Sequence, residues 1–278
     1  MAMKKWLAGL AWMLAASAQA APPERVVTLG GSVTEIVYRL GQGGKLVGDD
    51  LSSLYPEAAT KLPRVGYYRA VPVEGVLALQ PDLVLASEQA GPPDALKRLG
   101  EVGVRIVTVP DSPSVESLKA RIRNIADALD AAPAGEALVS EITRDLQAVE
   151  AIPGTGARAI LLLNRTGTLQ GAGGGTAANE VMTMAGLVNV LKDQHGYKPV
   201  SAEAVSALAP EVIVVTRTSL DASGGLDKLL AQPGIASTPA AARKRVIVMD
   251  DLLLLGMGPR LPLALTELKR EAAGVMGH

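Results

Sequence analysis

The 278-residue chain has no cysteine and no phenylalanine, two histidines and two tryptophans. Without cysteine there is no disulfide framework, no thiol nucleophile and no thiolate metal cage. Two histidines, His195 and His278, leave little for a catalytic triad, and no G-x-S-x-G elbow is present. Zinc and manganese sites draw on several histidines and carboxylates, so a bare transition-metal site does not fit this composition. Neither charge sign dominates: 27 Lys and Arg against 28 Asp and Glu give a net charge of −1. That balance argues against nucleic acid or an acidic membrane as the main partner. No apolar run reaches the ~20 residues that cross a bilayer.

Both tryptophans, Trp6 and Trp12, fall in the opening "MAMKKWLAGLAWMLAASAQA". Lys4 and Lys5, an apolar run from Trp6 to Ala16 and the small residues Ala18-Gln19-Ala20 form the three parts of a secretory signal, residues 1–20, cut after Ala20. The expectation is an exported, periplasmic protein, with no cysteine at the cleavage site to carry a lipid. A chain of roughly 250 residues buries about three quarters of its surface, so the core needs no disulfides. Cleavage leaves Tyr38, Tyr55, Tyr67, Tyr68 and Tyr197 as the aromatic side chains, too few for an aromatic cage.

From residue 25 onwards, strand-like and helix-like stretches alternate. "RVVTLG" reads as a buried strand. Ser32 and Glu35, three apart before "IVYRLG", read as a capping box. "KLVGDD", "DLVLAS" and "VRIVTVP" are further strands, with "EGVLALQ" and "PDALKRLGEVG" as helices between them. Alternation of this kind implies mainly parallel sheets covered on both faces. Residues 113–152 are purely helix-periodic, and Pro133 starts the second of two helices where its missing N–H costs little. About 20 residues at 1.5 Å each make a rod of roughly 30 Å. The alternation then resumes through "RAILLLN", "TAANEVMTMAG", "EVIVVT", "LDKLLAQ", "RVIVMD" and "LPLALTELKREAAG". The predicted fold is α/β: a lobe over 21–132, a rigid bridging helix over 133–152 and a second lobe over 153–278.

A repeat supports two lobes. "VPVEGVLALQPDLVL" (71–85) aligns without gaps to "VSAEAVSALAPEVIV" (200–214), with six of fifteen positions identical, Glu74/Glu203 and Pro81/Pro210 among them. Helix-Pro-strand units also converge on such patterns, because short apolar segments match easily.

In order and spacing, "RVVTLGGSVTEIVYRLG", "EGVLALQPDLVLAS", the 113–152 helices and "YKPVSAEAVSALAPEVIVV" resemble the periplasmic binding proteins of metal-chelate ABC importers, which serve siderophores, cobalamin and haem. The resemblance spans the mature chain and implies two lobes bridged by one long helix. "VGYYRAVPVEGVLALQPDLVLAS" is most similar to the haemin-binding branch, where a Gly-Tyr-x-Arg segment supplies the iron-ligating tyrosine. Carried onto Gly66-Tyr67-Tyr68-Arg69, that pattern implies Tyr67 as ligand and Arg69 as its partner. The chemistry agrees, since ferric iron is hard, tyrosinate is an axial haem ligand, and a nearby guanidinium favours phenolate. In an extended segment Tyr67 and Arg69 share a side and Tyr68 faces away. Without the resemblance, two adjacent tyrosines fit a loop flank equally well.

The resemblance also implies a departure. Where some relatives place a second iron-ligating histidine, this chain has Gly175 in "GGTAANEV". His195 reads as a solvated loop residue. Gly171, Gly173, Gly174 and Gly175 allow a flat ligand close to the backbone or simply make a flexible loop. The propionates of haem want cations and hydroxyls. Arg217 with Thr216 and Thr218, just past a strand, and Arg260 in "MGPRLP" are candidates, though Arg260 also fits a structural salt bridge and Met257 plain packing. The implied partners of this monomer are haem, as transported ligand, and a two-fold ABC permease with its ATPase, docked through Glu74 and Glu203. The alternative cargo is a ferric siderophore or cobalamin.

Overall fold

Four runs of branched aliphatic residues build the first sheet of the protein, for which a computed structural model describes residues 22–165 and 167–277. The proposed signal, residues 1–20, lies outside the described residues, as does His278. Strands β1 (Val26–Leu29), β2 (Leu46–Asp49), β3 (Leu83–Ser87) and β4 (Arg105–Val109) pair all-parallel in the order β2-β1-β3-β4. Helices α1 (Gly31–Arg39), α2 (Val73–Leu77) and α3 (Pro93–Glu101) make the crossovers, and α4 (Val115–Ala128), after the last strand, packs with α1 and β4. β3 is buried at every position, which is why it reads as a continuous apolar run rather than an alternating one.

Helix α5 (Ala132–Glu150), with Pro133 in its first turn, leads into the second sheet. That sheet holds β5 (Arg158–Asn164), β6 (Leu169–Ala172), β7 (Val188–Asn189), β8 (Tyr197–Pro199), β9 (Val212–Thr216) and β10 (Val246–Met249). The order is β10-β9-β5-β6-β8, with β7 on β5; β6 pairs antiparallel with both β5 and β8. Around it lie α6 (Ala177–Met184), α7 (Ala202–Leu208), α8 (Arg217–Ala222), α9 (Leu226–Leu230), α10 (Pro239–Ala242), α11 (Asp251–Leu255) and α12 (Leu261–Met276).

The sequence repeat is a structural one. Leu79/Leu208, Gln80/Ala209 and Asp82/Glu211 align within it, and each pair is used alike, with Arg25 serving one lobe and Arg158 the other. Arg25 donates Nη2 to the Leu79 carbonyl at 2.6 Å, and Arg158 donates Nη2 to the Leu208 carbonyl at 2.7 Å. The Asp82 carboxylate accepts the Arg25 amide, and the Glu211 carboxylate accepts the Arg158 amide. Gln80 and Ala209 both adopt left-handed φ, 48° and 44°. Matched bonds and a matched strained residue are far more than convergent patterning supplies.

The lobes meet through more than the rod. One apolar core runs from Val33, Ile36 and Leu85 through Leu118, Ile122 and Ile142 to Leu161, Leu254, Met257 and Leu265. At its edge the start of α1 presses on the second lobe: a Cβ added to Gly31 would lie 2.8 Å from Leu252 Cδ1. This contact overturns the capping box. Gly30 is the N-cap and no side chain caps the helix. Ser32 and Glu35 are buried instead, Ser32 Oγ accepting from Arg121 and Glu35 pairing with Arg260. A helix start turned towards another lobe has no solvent to shield it from, so its polar side chains find partners in the interior.

Candidate functional site

The carboxyl ends of the first sheet converge on Asp50, which directly succeeds β2 and is fully buried. Its Oδ1 accepts from the Gly30 amide at 2.9 Å and from both Ser52 Oγ and Ser53 Oγ. Its Oδ2 accepts from the Ser52 amide at 3.0 Å and the Tyr68 amide at 3.3 Å. One carboxylate thus ties the start of α1, the loop after β2 and the segment 66–69 together. Arg64 clamps the same loop from outside, donating to the Asp50 and Ser53 carbonyls and pairing with Asp49 at 3.1 Å. Burial pushes the Asp49 carboxyl up to about 7, against the opposing pull of Arg64.

Gly66, at φ +101°, makes the turn into Tyr67, a conformation that disfavours any side chain. The chain beyond Tyr67 is not the extended segment expected. Tyr68–Ala70 form a 3₁₀ turn, so alternation does not set where these side chains go. Tyr68 packs against the Val27–Leu99 core, and its phenol oxygen accepts Arg69 Nε at 3.0 Å. Arg69 is fixed further by Nη1 donating to Gln89 at 3.1 Å. Burial pushes the Tyr68 phenol up to about 12, so it stays protonated at neutral pH. Tyr67 is left 38% exposed, its ring edge-on to that of Tyr68 at 5.0 Å. Tyr68 holds Arg69 in place, and the Arg69 guanidinium also reaches the Tyr67 phenol; the correction concerns the reason, because the more open phenol, Tyr67, is set apart by burial and not by strand alternation.

Beside Tyr67 lie residues that sequence reasoning missed. Leu51, whose amide donates to the Gly66 carbonyl at 2.8 Å, is exposed, as are Leu54 and Tyr55. Three large exposed side chains thus stand in the loop that Leu51 ties to the Gly66 turn, an apolar surface of the kind a ligand can cover. Their adjacency to "DD" in the sequence hid them, because a loop rich in Leu carries no periodic signal.

Arg260, at the start of α12, crosses between lobes. It makes a two-pronged contact with Glu35, 3.1 Å on each side, and its guanidinium stacks 3.7 Å over the Tyr55 ring. The structural salt bridge is therefore the role the geometry gives it, with Met257 buried in the core nearby. Thr216 is corrected too: fully buried, it caps α8 by accepting the Ser219 amide and donates to Ser219 Oγ at 2.8 Å, leaving no hydroxyl for a ligand. Arg217 and Thr218 beside it are exposed.

The glycine loop has a different reason from the one expected. A Cβ on Gly173 would collide with the Gln194 carbonyl oxygen, and one on Gly174 with that of Lys192. The protein's own segment 192–196 fills the space these glycines leave. Gly175, at φ +74°, is faced by the His195 ring, 2.7 Å from where its Cβ would be. Glu74 and Glu203 are exposed in the first turns of α2 and α7. Among the described residues, no three His, Cys, Asp or Glu side chains are grouped to hold a metal ion. A groove of about 420 Å³ between α5 and α12, lined by Val149, Ile152, Pro262 and Arg270, lies apart from Tyr67.

The profile of the periplasmic binding protein family matches residues 26–253. The chain belongs to this family. Among solved structures, the periplasmic haem-binding protein BhuT, in complex with two haems, is 42% identical with a TM-score of 0.87, over 91% of this chain and 98% of that one. The periplasmic haem-binding protein RhuT from Roseiflexus sp. RS-1, in apo form, gives 38%, 0.87 and the same coverage. Among curated relatives, the ABC transporter substrate-binding lipoprotein YvrC of Bacillus subtilis is 31% identical over 86% of this chain and 76% of its own length. The vitamin B12-binding protein of Yersinia pestis strain Pestoides F is 33% identical over 74% and 73%. Like them, this periplasmic binding protein has the two-lobed α/β fold, and among its described residues no helix is long and apolar enough to cross a membrane.

Proposed function

We propose that this periplasmic binding protein captures haem through Tyr67 and hands it to an ABC importer. The observation that carries the reading is the exposed Tyr67 phenol, set beside a fixed Arg69 and the open Leu51–Leu54–Tyr55 platform. A hard phenolate oxygen suits ferric iron, a guanidinium favours the ionised phenol, and the platform covers a porphyrin face at ~25 cal/mol per Å² of apolar surface. The similarity to BhuT and RhuT supports haem; the similarity to vitamin B12-binding proteins keeps cobalamin as the second reading. Once residues 1–20 are removed, cobalamin finds no tryptophan and few aromatics here to pack its corrin.

The reading includes export to the periplasm by removal of residues 1–20, and action as a monomer on a permease dimer. Glu74 and Glu203, related by the repeat, offer one carboxylate per lobe, as a two-fold symmetric partner requires. The deciding experiment is a haemin titration. Haemin added to the wild type should give a Soret shift and a high-spin ferric phenolate spectrum. Both should vanish in Tyr67→Ala, and Tyr67→Phe should weaken binding far more than Tyr68→Phe. Equal behaviour of the two Phe variants, or a tighter complex with cobalamin than with haemin, overturns the reading.

A further inference from the structure

The repeat can be carried backwards from residue 71 without a gap. In the same alignment, Gly66-Tyr67-Tyr68-Arg69-Ala70 faces His195-Gly196-Tyr197-Lys198-Pro199. Tyr197 is thereby the second lobe's counterpart of Tyr68, Lys198 that of Arg69, and Gly196 stands where the first lobe has Tyr67. The second lobe keeps one phenol of the pair and lacks the one assigned to iron.

The loop glycines explain how that phenol is held. The amide of Gly173 donates to the Gly196 carbonyl at 2.9 Å, that of Gly174 to Gln194 at 2.6 Å, and that of Gly196 to Gly174 at 3.0 Å. Ala172 pairs with Tyr197 across β6 and β8. Side chains at 173 and 174 would collide with this returning segment, so three glycines in a row are what seat Tyr197 against the start of α6. There its ring is 39% exposed, the same as Tyr67 within a point, and it is the only aromatic side chain the second lobe has.

Tyr68 commits its phenol to Arg69. Tyr197 has no neighbouring cation to hold in this way, since on a strand the adjacent Lys198 points to the opposite face. The guanidinium charges that reach Tyr197 come from both lobes, Arg165 of its own and Arg69 of the other. Burial nonetheless raises its proton affinity, against the Ala178 amide, the Thr176 hydroxyl and those two guanidinium charges. Thr176 spends its own hydroxyl proton on the Gly173 carbonyl, so the Tyr197 phenol, 39% exposed and within reach of a guanidinium charge from each lobe, is the donor of the pair and can turn to an acceptor-only anion.

We propose that Tyr197 is a specificity residue of the ligand site, its exposed phenol donating to a carboxylate of the bound porphyrin. This role rests on the haem reading. The test pairs haemin with haemin dimethyl ester, which has the same ring and iron but no free carboxylate, on the wild type and on Tyr197→Phe. The variant should bind haemin on the order of tenfold more weakly, the scale of a hydrogen bond to a charged group at a partly open wall. Its affinity for the ester and its iron spectrum should match the wild type. Unchanged haemin affinity overturns the proposal, as does an equal loss with the ester, which would mean packing alone. A shifted ligand-to-iron charge-transfer band would instead make Tyr197 an iron ligand and overturn it as well. Any of these results beside a wild type that binds haemin removes the Tyr197 role alone. A wild type that gives no Soret shift with haemin removes the haem reading and the Tyr197 role with it.

Discussion

Arg25 in the first lobe and Arg158 in the second each reach the carbonyl at the end of a short helix, and each has its amide held by an acid directly before a buried strand. The frames are copies. The loops that hang on them are not: the first lobe sends out Gly66–Arg69 on a 3₁₀ turn held by a buried carboxylate, and the second folds Gly171–Gly175 back onto residues 192–197. Where a duplicated frame is kept and its loops diverge, the frame serves folding and the loops serve the ligand.

The organisers of the two loops differ in chemistry as well. Asp50 in the first lobe is an ionisable group gathering five hydrogen bonds. Asn189 in the second is neutral; it donates to the Ala172 carbonyl and Asn179, both at 2.9 Å, and accepts the Leu191 amide. The sharpest test of the comparison is to truncate both. Asp50→Ala should cost about 3–5 kcal/mol in denaturant unfolding, because it leaves several buried donors unmet, and should lower haemin affinity through a loosened Tyr67 segment. Asn189→Ala should cost about 1–3 kcal/mol. Equal losses in stability and affinity would erase the distinction drawn between the lobes.

The next effect lies where the lobes touch. Arg260→Ala strands Glu35, 2% exposed, without its cation, and should destabilise by about 3 kcal/mol. Burial already raises the Glu35 proton affinity and Arg260 opposes that, so removing Arg260 raises it further. A carboxyl with a raised folded pKa binds its proton more tightly than the unfolded chain does, so the folded state loses ground as pH climbs through and above the unfolded value. The deficit of the variant should therefore be smallest near pH 4 and grow towards pH 8; a flat difference across that range would show that the ion pair carries no weight.

The smallest effect on ligand binding is expected where the lobes are most alike. Glu74→Ala/Glu203→Ala should leave haemin affinity unchanged and barely move the unfolding midpoint, since both carboxylates are exposed at helix starts. Transport and transporter-stimulated ATPase activity should fall, with a weakened salt dependence of docking. Full transport by the double variant would leave the matched pair with a helix-stabilising role alone.

Strand–helix alternation and the repeat were legible in the sequence because each is encoded in neighbouring residues, whereas the 3₁₀ turn at Tyr68–Ala70 was not, because it depends on the distant Asp50 carboxylate. Ser32 and Glu35 were misread for the same reason: the local pattern of a capped helix is also what a helix start uses when it is buried against distant partners. Glu35 and Arg260 are 225 residues apart, and nothing local at either end announces the other. Thr216 looked available because "VVTRTS" shows a hydroxyl beside an arginine and not its bond to Ser219. The glycines at 173–175 were legible as a demand for close approach, but the sequence does not say which chain approaches.

The apolar seam that runs from Val33 through Ile142 to Leu265 has a consequence for how the duplicated halves live. Each half kept its own sheet, yet the residues that would close its core sit on α5, α12 and the other half. Cut apart, either would expose that seam to water and to neighbouring chains. A core shared in this way should make the two halves melt together, in a single cooperative transition rather than two, so that any ligand of the folded chain steadies the whole of it rather than one end.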